Sequence, residues 1–123
     1  MKYIHFLFFI LIIGCLTVKA APAIGSIGYT SFSCSSSLRT FTVNISDVSP
    51  IATGSLTPRV YYKINTGPYT SASGTLTSGT LNNGIWTFTM TYAVSSNDFV
   101  YFFVTAQNAL GNIVANPSTG FVA

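Results

Sequence analysis

Hydrophobic and polar side chains alternate with a period of two along most of the chain after residue 38. In the segment 40–46, Phe41, Val43 and Ile45 are apolar, and the positions between them are polar. A period of two places successive side chains on opposite faces of a strand, whereas a helix repeats every 3.6 residues. The segment is therefore predicted to be a strand with one buried face and one face in water.

The segment 59–65 shows the same alternation. Val60 and Tyr62 fall on one face, and Tyr61 and Lys63 fall on the other. We predict that the first pair points into the core and that the second pair points outward, because a charged side chain is rarely buried without a partner.

The later part of the chain is also rich in strand signals. Trp86, Phe88, Met90 and Tyr92 alternate with threonines, and all four are predicted to point inward. The segment 99–106 is apolar on both faces, as expected of a central strand covered on each side. Further strands are predicted at 24–32, 69–76, 113–115 and 121–123, and the Ser/Thr-rich segment 69–76 is predicted to be an exposed edge strand.

The spacing of these segments indicates the fold class. About seven short strands recur every 8–12 residues with turn residues between them, among which Asn83-Gly84 is a strong hairpin signal. This pattern predicts an all-β protein, an antiparallel β-sandwich. A small closed barrel is the alternative architecture. The length after residue 20 suits one domain, predicted to span residues 21–123.

The first twenty residues have the layout of a secretory signal peptide, predicted to span residues 1–20. Lys2 is followed by a run over 4–13 that is apolar apart from His5, and Val18 and Ala20 supply the small residues of a cleavage site. We predict cleavage after Ala20 and a secreted or cell-surface protein. Two alternatives stay open: lipidation at Cys15, which would become the new N-terminus, or an uncleaved membrane anchor.

The composition excludes several classes of function. Only 6% of the residues are charged. After residue 20 the chain contains no Glu, no His, two Asp, two Arg and one Lys. General acid–base catalysis, nucleophile activation and most metal sites need the residues that are missing. Nucleic acid would require clustered cations. We therefore predict a protein that is not an enzyme and has no cofactor, no metal and no nucleic-acid partner.

The few remaining reactive side chains have local explanations. Asp47 and Asp98 lie at strand–turn boundaries, where a carboxylate caps backbone N–H groups. A calcium site or a pair of acids for glycoside hydrolysis is the alternative. Cys34 is predicted to be a part-buried residue, with an intermolecular disulfide as the alternative. If their strands pair, Arg59 and Lys63 could join Arg39 in a small basic patch.

Two tyrosines are candidates for contact with a ligand. Tyr61 is predicted to face outward, and Tyr69 follows a turn. Flat aromatic rings of this kind stack on sugars, although exposed tyrosines on sheets are also ordinary cross-strand partners. Trp86 is assigned to the core instead, because it alternates with Phe88 and Met90.

Four segments resemble a known family when they are taken in order. They are VNISD at 43–47, PRVYYK at 58–63, GIWTF at 84–88 and DFVYFFVTAQN at 98–108. Together they resemble the immunoglobulin-like, fibronectin type III-like modules of secreted or surface proteins from Bacteroidetes-type bacteria. The resemblance implies an immunoglobulin-like β-sandwich. The chain departs from the family pattern at Pro50, usually Gly, and at Asn108, usually Asp, which removes a carboxylate that could help to hold a cation.

The resemblance and the composition point to one function and one alternative. The first is a non-catalytic extracellular or cell-surface module that serves as a spacer, as part of an adhesin or as an accessory interaction domain. The alternative is a carbohydrate-binding module that uses Tyr61 and Tyr69. The expected partner is a protein or a glycan at the cell surface. Contact with a membrane is expected only through a lipid at Cys15 or through an uncleaved leader.

Overall fold

The computed structural model describes residues 19–29 and 38–122 and consists of antiparallel β-strands. The all-β prediction is confirmed with eight strands: the predicted N-terminal strand is split in two, and the two predicted C-terminal strands are joined into one. One 3-10 turn, Gly54–Leu56, lies in the loop that precedes Arg59. The strands are β1 (Ala23–Ile24), β2 (Gly28–Tyr29), β3 (Thr40–Ser46), β4 (Arg59–Ile64), β5 (Thr70–Gly79), β6 (Asn83–Thr89), β7 (Val100–Gln107) and β8 (Ile113–Val122).

The strands form a sheet that nearly closes on itself. Their order is β1-β3-β6-β5-β4-β7-β8, and β2 also pairs with β3. The first and last strands of this order meet through a side chain: the Nδ2 of Asn116 on β8 donates to the carbonyl oxygens of Ile24 and Gly25, at 3.0 and 3.1 Å. The two edges are therefore linked by a side-chain amide as they approach each other.

Strand β5 changes partner halfway along its length. Its first part, 70–73, pairs with β4, and its second part, 74–79, pairs with β6 with a register shift between Leu76 and Ser78. The N–H of Gly74 marks the change by donating to the carbonyl of Pro58 over 2.7 Å. Strand β5, which was predicted to be an edge strand, therefore lies between β6 and β4 in the strand order. Each half of β5 pairs with only one of these two neighbours.

The core contains the side chains that the alternation predicted. Phe41, Val43 and Ile45 of β3 and Val60 and Tyr62 of β4 are all at most 2% exposed. The remaining members of the buried apolar cluster are Ile51, Trp86, Phe88, Met90, Val94, Val100, Phe102, Val104 and Ala106.

The inward placement of Tyr92 was wrong. Strand β6 ends at Thr89, and the N–H of Met90 donates to the carbonyl of Arg39 as the chain begins to turn. Tyr92 is 58% exposed as a result, and Val94, two residues later, fills a core position instead. The alternation in the sequence continues beyond the point at which the backbone stops being a strand.

The hydroxyl of Tyr62 forms a hydrogen bond with the backbone of this turn. Tyr62 is buried, and its hydroxyl oxygen accepts a hydrogen bond from the N–H of Thr91 over 2.8 Å. The bond gives the buried phenol oxygen a hydrogen-bond partner in place of water. It also connects β4 to the segment after β6, two parts of the chain that do not pair as strands.

Strand β8 runs through a sequence that breaks its ladder. Val104 of β7 is paired with Asn116, but the next pairing is between Phe102 and Phe121. Residues 117–120 therefore have no register partner in that ladder. The interruption predicted at Pro117 is confirmed as a gap in pairing, while the two predicted terminal strands are one continuous strand.

The predicted leader up to residue 18, with Cys15, lies outside the described residues. So do Cys34, the end of the predicted N-terminal strand at 30–32, and residue 123. No helix in the described ranges has the length and apolar character needed to cross a membrane.

The hairpin between β5 and β6 differs from its sequence signal by two residues. Gly84 pairs with Gly79 inside the ladder, so the turn consists of residues 80–82 instead of including Asn83-Gly84. Gly79 adopts a φ of +83°, and an added Cβ would collide with the carbonyl oxygen of Asn83. Both the backbone angle and the space therefore require glycine at this position.

Replacing Gly79 with alanine should destabilise the domain by about 2–3 kcal/mol, from the left-handed backbone and the clash together. Gly54 is the matched control, because its φ of +66° is similar and an added Cβ would meet nothing within 4 Å. Gly54→Ala should cost only about 1 kcal/mol. Urea unfolding of both variants measures the difference, and equal losses would contradict the steric part of the argument.

Candidate functional site

An aromatic surface lies on the outward side of β4 and β7. In the antiparallel register, Tyr61 stands opposite Phe103, and Lys63 stands opposite Tyr101. Directly opposed residues in a sheet share a face, so all four project away from the core. Tyr69, in the turn before β5, completes the group. We call these five residues the aromatic face.

The rings of the aromatic face are organised around Phe103. The ring of Tyr61 stacks on Phe103 with centroids 5.1 Å apart and an interplanar angle of 11°. Tyr69 contacts the same ring edge-on, at 5.8 Å and 63°. The planes of the two tyrosines therefore diverge by more than about 50°. They form a bent surface and not a single flat platform.

Both candidate tyrosines contact Phe103, a residue that was not predicted to belong to a site. The outward position of Tyr61 is confirmed, since it is only half-buried between Val60 and Tyr62, and Tyr69 is 51% exposed. Phe103 belongs to a segment that was predicted to be apolar on both faces. The alternation within that segment is enough to place Phe103 on the face that points away from the core. Only the register between β4 and β7 places it beside Tyr61.

A lysine supplies the charge of the aromatic face. The Nζ of Lys63 lies 4.8 Å from the ring centroid of Tyr101 and 5.3 Å from that of Tyr69. Both distances fall in the range of cation–π attraction. The ammonium group is therefore held over two rings and does not extend freely into solvent.

The predicted basic patch of three cations does not form. Arg59 lies on β4, where its Nη1 donates to the Ser71 hydroxyl over 3.3 Å. Arg39 is buried beside β3, and β3 and β4 are not neighbours in the sheet. Arg59 and Lys63 remain on one face of one strand, with Tyr61 between them.

One end of the fold is built around a buried asparagine. Asn108 is 1% exposed. Its Oδ1 accepts hydrogen bonds from the N–H groups of Leu110 and Asn112, and its Nδ2 donates to Asp47 Oδ2 over 2.9 Å and to the carbonyl of Ala20 over 3.0 Å. The other oxygen of Asp47 accepts from a backbone N–H two residues later. The predicted turn-capping role of Asp47 is therefore confirmed.

Asp98 caps the turn at the opposite end. It accepts a hydrogen bond from the Ser95 N–H over 2.8 Å and another from the Asn65 amide over 2.8 Å. These two bonds hold the pKa of the Asp98 carboxyl below its ordinary value of 3.8, because they favour the charged form. The turn-capping prediction is confirmed here as well.

The two carboxylates do not form a catalytic pair. Asp98 precedes β7, whereas Asp47 binds Asn108, which follows the end of the same strand. Ten extended residues separate these positions by about 30 Å. Glycoside hydrolysis requires two carboxyl groups within about 10 Å. Within residues 19–29 and 38–122, His, Cys, Asp and Glu side chains also do not gather in groups of three or more that could hold a metal ion.

The lowered pKa of Asp98 predicts a stability change in acid. Above pH 3.8 both the folded and the unfolded chain carry the charged carboxylate, and the two hydrogen bonds stabilise the fold. Below that pH the unfolded chain takes up the proton first, so this stabilisation decreases as the pH falls. The melting temperature of the natural chain should therefore decrease more steeply between about pH 4 and pH 2 than that of Asp98→Asn. Parallel slopes would contradict this role for Asp98.

A cavity of about 640 Å³ lies where the sheet nearly closes. The residues that line it include Ile24, Ile27, Tyr29, Phe102 and Asn116. The Asn116 amide already donates to two backbone carbonyls near β1. The cavity lining therefore combines apolar side chains with an amide that is already hydrogen-bonded.

No protein-family model, curated protein or solved structure matches the chain. Within the described ranges, the aromatic face combines outward aromatic rings with the cationic side chain of Lys63, so it is the candidate binding site.

Proposed function

We propose that this protein is a non-catalytic extracellular or cell-surface module with an immunoglobulin-like β-sandwich fold, serving as a spacer, as part of an adhesin or as an accessory interaction domain. The leader-like N-terminus and the shortage of acid–base side chains support this proposal. The change of partner within β5 supports the sandwich, because it divides the strand order into one group around β3 and β6 and another around β4 and β7.

The aromatic face is the single observation that carries the interaction role. Tyrosine and phenylalanine contribute large contact areas with little loss of side-chain entropy, and they are enriched at the centres of interfaces. Phe103 already holds Tyr61 in place by stacking. A preorganised surface of this kind binds without first ordering its side chains.

Cell fractionation tests the location. The full-length chain should be found outside the cytoplasm when it is produced in a bacterial host, and externally added protease should reach it if it remains on the cell surface. Retention of the whole population in the cytoplasm would contradict the proposal. This measurement does not depend on the identity of the partner.

Carbohydrate binding is the second candidate function, favoured by the contact of Tyr61 and Tyr69 with one central ring. Their divergent planes suit a bent or twisted glycan chain better than a flat crystalline surface. We therefore expect retention by soluble branched or helical polysaccharides in affinity electrophoresis, and weak binding to crystalline cellulose or chitin.

Substitutions of the two tyrosines test whether binding uses the aromatic face. Tyr61→Ala or Tyr69→Ala should weaken retention about fivefold or more, since each stacked ring contributes about 1 kcal/mol or more. Tyr29→Ala is the matched control, because Tyr29 is 46% exposed but lies on β2, outside the aromatic face. Circular dichroism confirms that each variant is folded. Equal retention of all three variants would show that Tyr61 and Tyr69 do not contact the glycan. If the natural chain is retained by no polysaccharide, the carbohydrate-binding function is excluded.

A further inference from the structure

The carbonyl oxygen of Ala20 is held by two side-chain amides from the loop after β7. The Nδ2 of Asn108 donates to it over 3.0 Å, and the Nδ2 of Asn112 donates over 3.1 Å. A carbonyl oxygen has two lone pairs, and two donors satisfy both. Ala20 is therefore attached to this end of the fold by specific hydrogen bonds.

The buried amide depends on this carbonyl. The Asn108 side chain makes all four of the hydrogen bonds of which an asparagine is capable, and Ala20 supplies one of its two acceptors. Loss of Ala20 would leave a buried N–H without an acceptor, which is unfavourable. It would also bring the positively charged α-amino group of Ala21 close to two amide N–H groups that themselves carry partial positive charge.

The residues directly after Ala20 belong to the packed structure as well. Pro22 is buried, and β1 begins with the following residue and pairs with β3. Only Ala21 separates Ala20 from this segment. The hydrogen-bonded region is therefore continuous from β1 back to Ala20.

We propose that the folded domain includes Ala20 and that the leader is removed at a bond N-terminal to this residue. The predicted cleavage after Ala20 depended on the small side chains of Val18 and Ala20, which are local features of an unfolded leader. The hydrogen bonds of the folded domain favour a cut further upstream. The lipoprotein alternative, with Cys15 as the new N-terminus, meets this condition because it keeps residues 15–20.

Intact mass and N-terminal sequencing of the exported protein test the proposal directly. The full-length chain is produced in a bacterial host that has both classes of signal peptidase, and the protein is recovered from the cell envelope and the medium. A mature chain that contains Ala20 is the expected result, whether or not Cys15 carries a lipid. A mature chain that starts at Ala21 would overturn the proposal.

A variant tests whether the Ala20 contact is present in the mature protein. Asn112→Ala removes one donor to the Ala20 carbonyl and should lower the melting temperature of the exported protein by about 4 °C, the loss expected for one hydrogen bond in a domain of this size. Asn97→Ala, in an exposed turn at the opposite end, is the control and should change it by less than about 2 °C. Equal shifts would count against a role for Ala20 in the fold.

Discussion

The Asn108→Asp variant should lose about 3 kcal/mol or more of its folding free energy at neutral pH. The substitution removes both amide N–H donors of a buried side chain at once, so the carbonyl of Ala20 and the carboxylate of Asp47 each lose a hydrogen-bond partner. It also places a second carboxylate within hydrogen-bonding distance of Asp47, where two negative charges repel each other. Chemical denaturation followed by tryptophan fluorescence measures the loss.

The pH dependence distinguishes charge repulsion from the loss of hydrogen bonds. One of the two carboxyl groups can take up a proton as the solution becomes acidic, so the deficit of Asn108→Asp should shrink below about pH 5. Asn112→Asp is the control, because it adds a charge to the same loop and loses the bond to Ala20, but Asn112 has no contact with the Asp47 carboxylate among the described hydrogen bonds. A deficit that stays constant with pH would contradict the repulsion.

The same variant also tests whether a second carboxylate beside Asp47 would create a cation site. Asn108→Asp would present two carboxylates and one backbone carbonyl, the oxygen ligands that Ca²⁺ prefers. We therefore expect millimolar CaCl₂ to restore part of the lost stability in the variant and to leave the natural chain unchanged. In the natural chain the two amide N–H groups of Asn108 carry the partial positive charge that faces the Asp47 carboxylate and the Ala20 carbonyl.

Phe88→Ala should destabilise the domain by about 3–5 kcal/mol, enough to unfold a large part of the population of a marginally stable domain. The side chain is fully buried and lies in the same apolar cluster as Phe41, its partner across the β3–β6 ladder. Truncation would lose the transfer free energy of the ring and leave a cavity that the neighbouring strands cannot fill without moving. Urea unfolding gives the free energy of the variant.

Thr89→Ala is the matched control for Phe88→Ala. Thr89 is the next residue on β6, and its side chain is exposed on the opposite face. Its truncation should change the stability by less than about 0.5 kcal/mol. Losses of similar size for the two variants would mean that β6 does not separate a core face from a solvent face.

The strands with strict alternation could be predicted from the sequence because alternation records which face is covered. This was sufficient for β3, for β4 and for the first half of the Trp86 segment. It failed at Tyr92, because a threonine-rich repeat continues beyond the hydrogen bond at Met90 that ends the strand. It also placed the turn of the β5–β6 hairpin too late, since Asn83-Gly84 is a turn signal that here lies inside a ladder.

The candidate site was predicted only in part, for a related reason. The outward position of Tyr61 follows from its neighbours in sequence, and the exposure of Tyr69 follows from the turn before it. Their joint contact with Phe103 depends on how β4 and β7 are aligned, and these strands are about forty residues apart along the chain. No local pattern contains the register of two such distant segments.

By itself, the sequence determined that the chain forms β-strands, because its apolar and polar residues alternate. It also determined that the chain carries few groups capable of catalysis, and which side of β3 and β4 is buried. These properties depend on neighbouring residues and on composition, so they can be read without coordinates. The tertiary structure alone decided the order of the strands, the change of partner within β5, the aromatic face and the hydrogen bonds that join Asn108 and Asn112 to Ala20. Each of these depends on contacts between segments far apart in the chain, where the pairing of backbones in space determines which side chains meet.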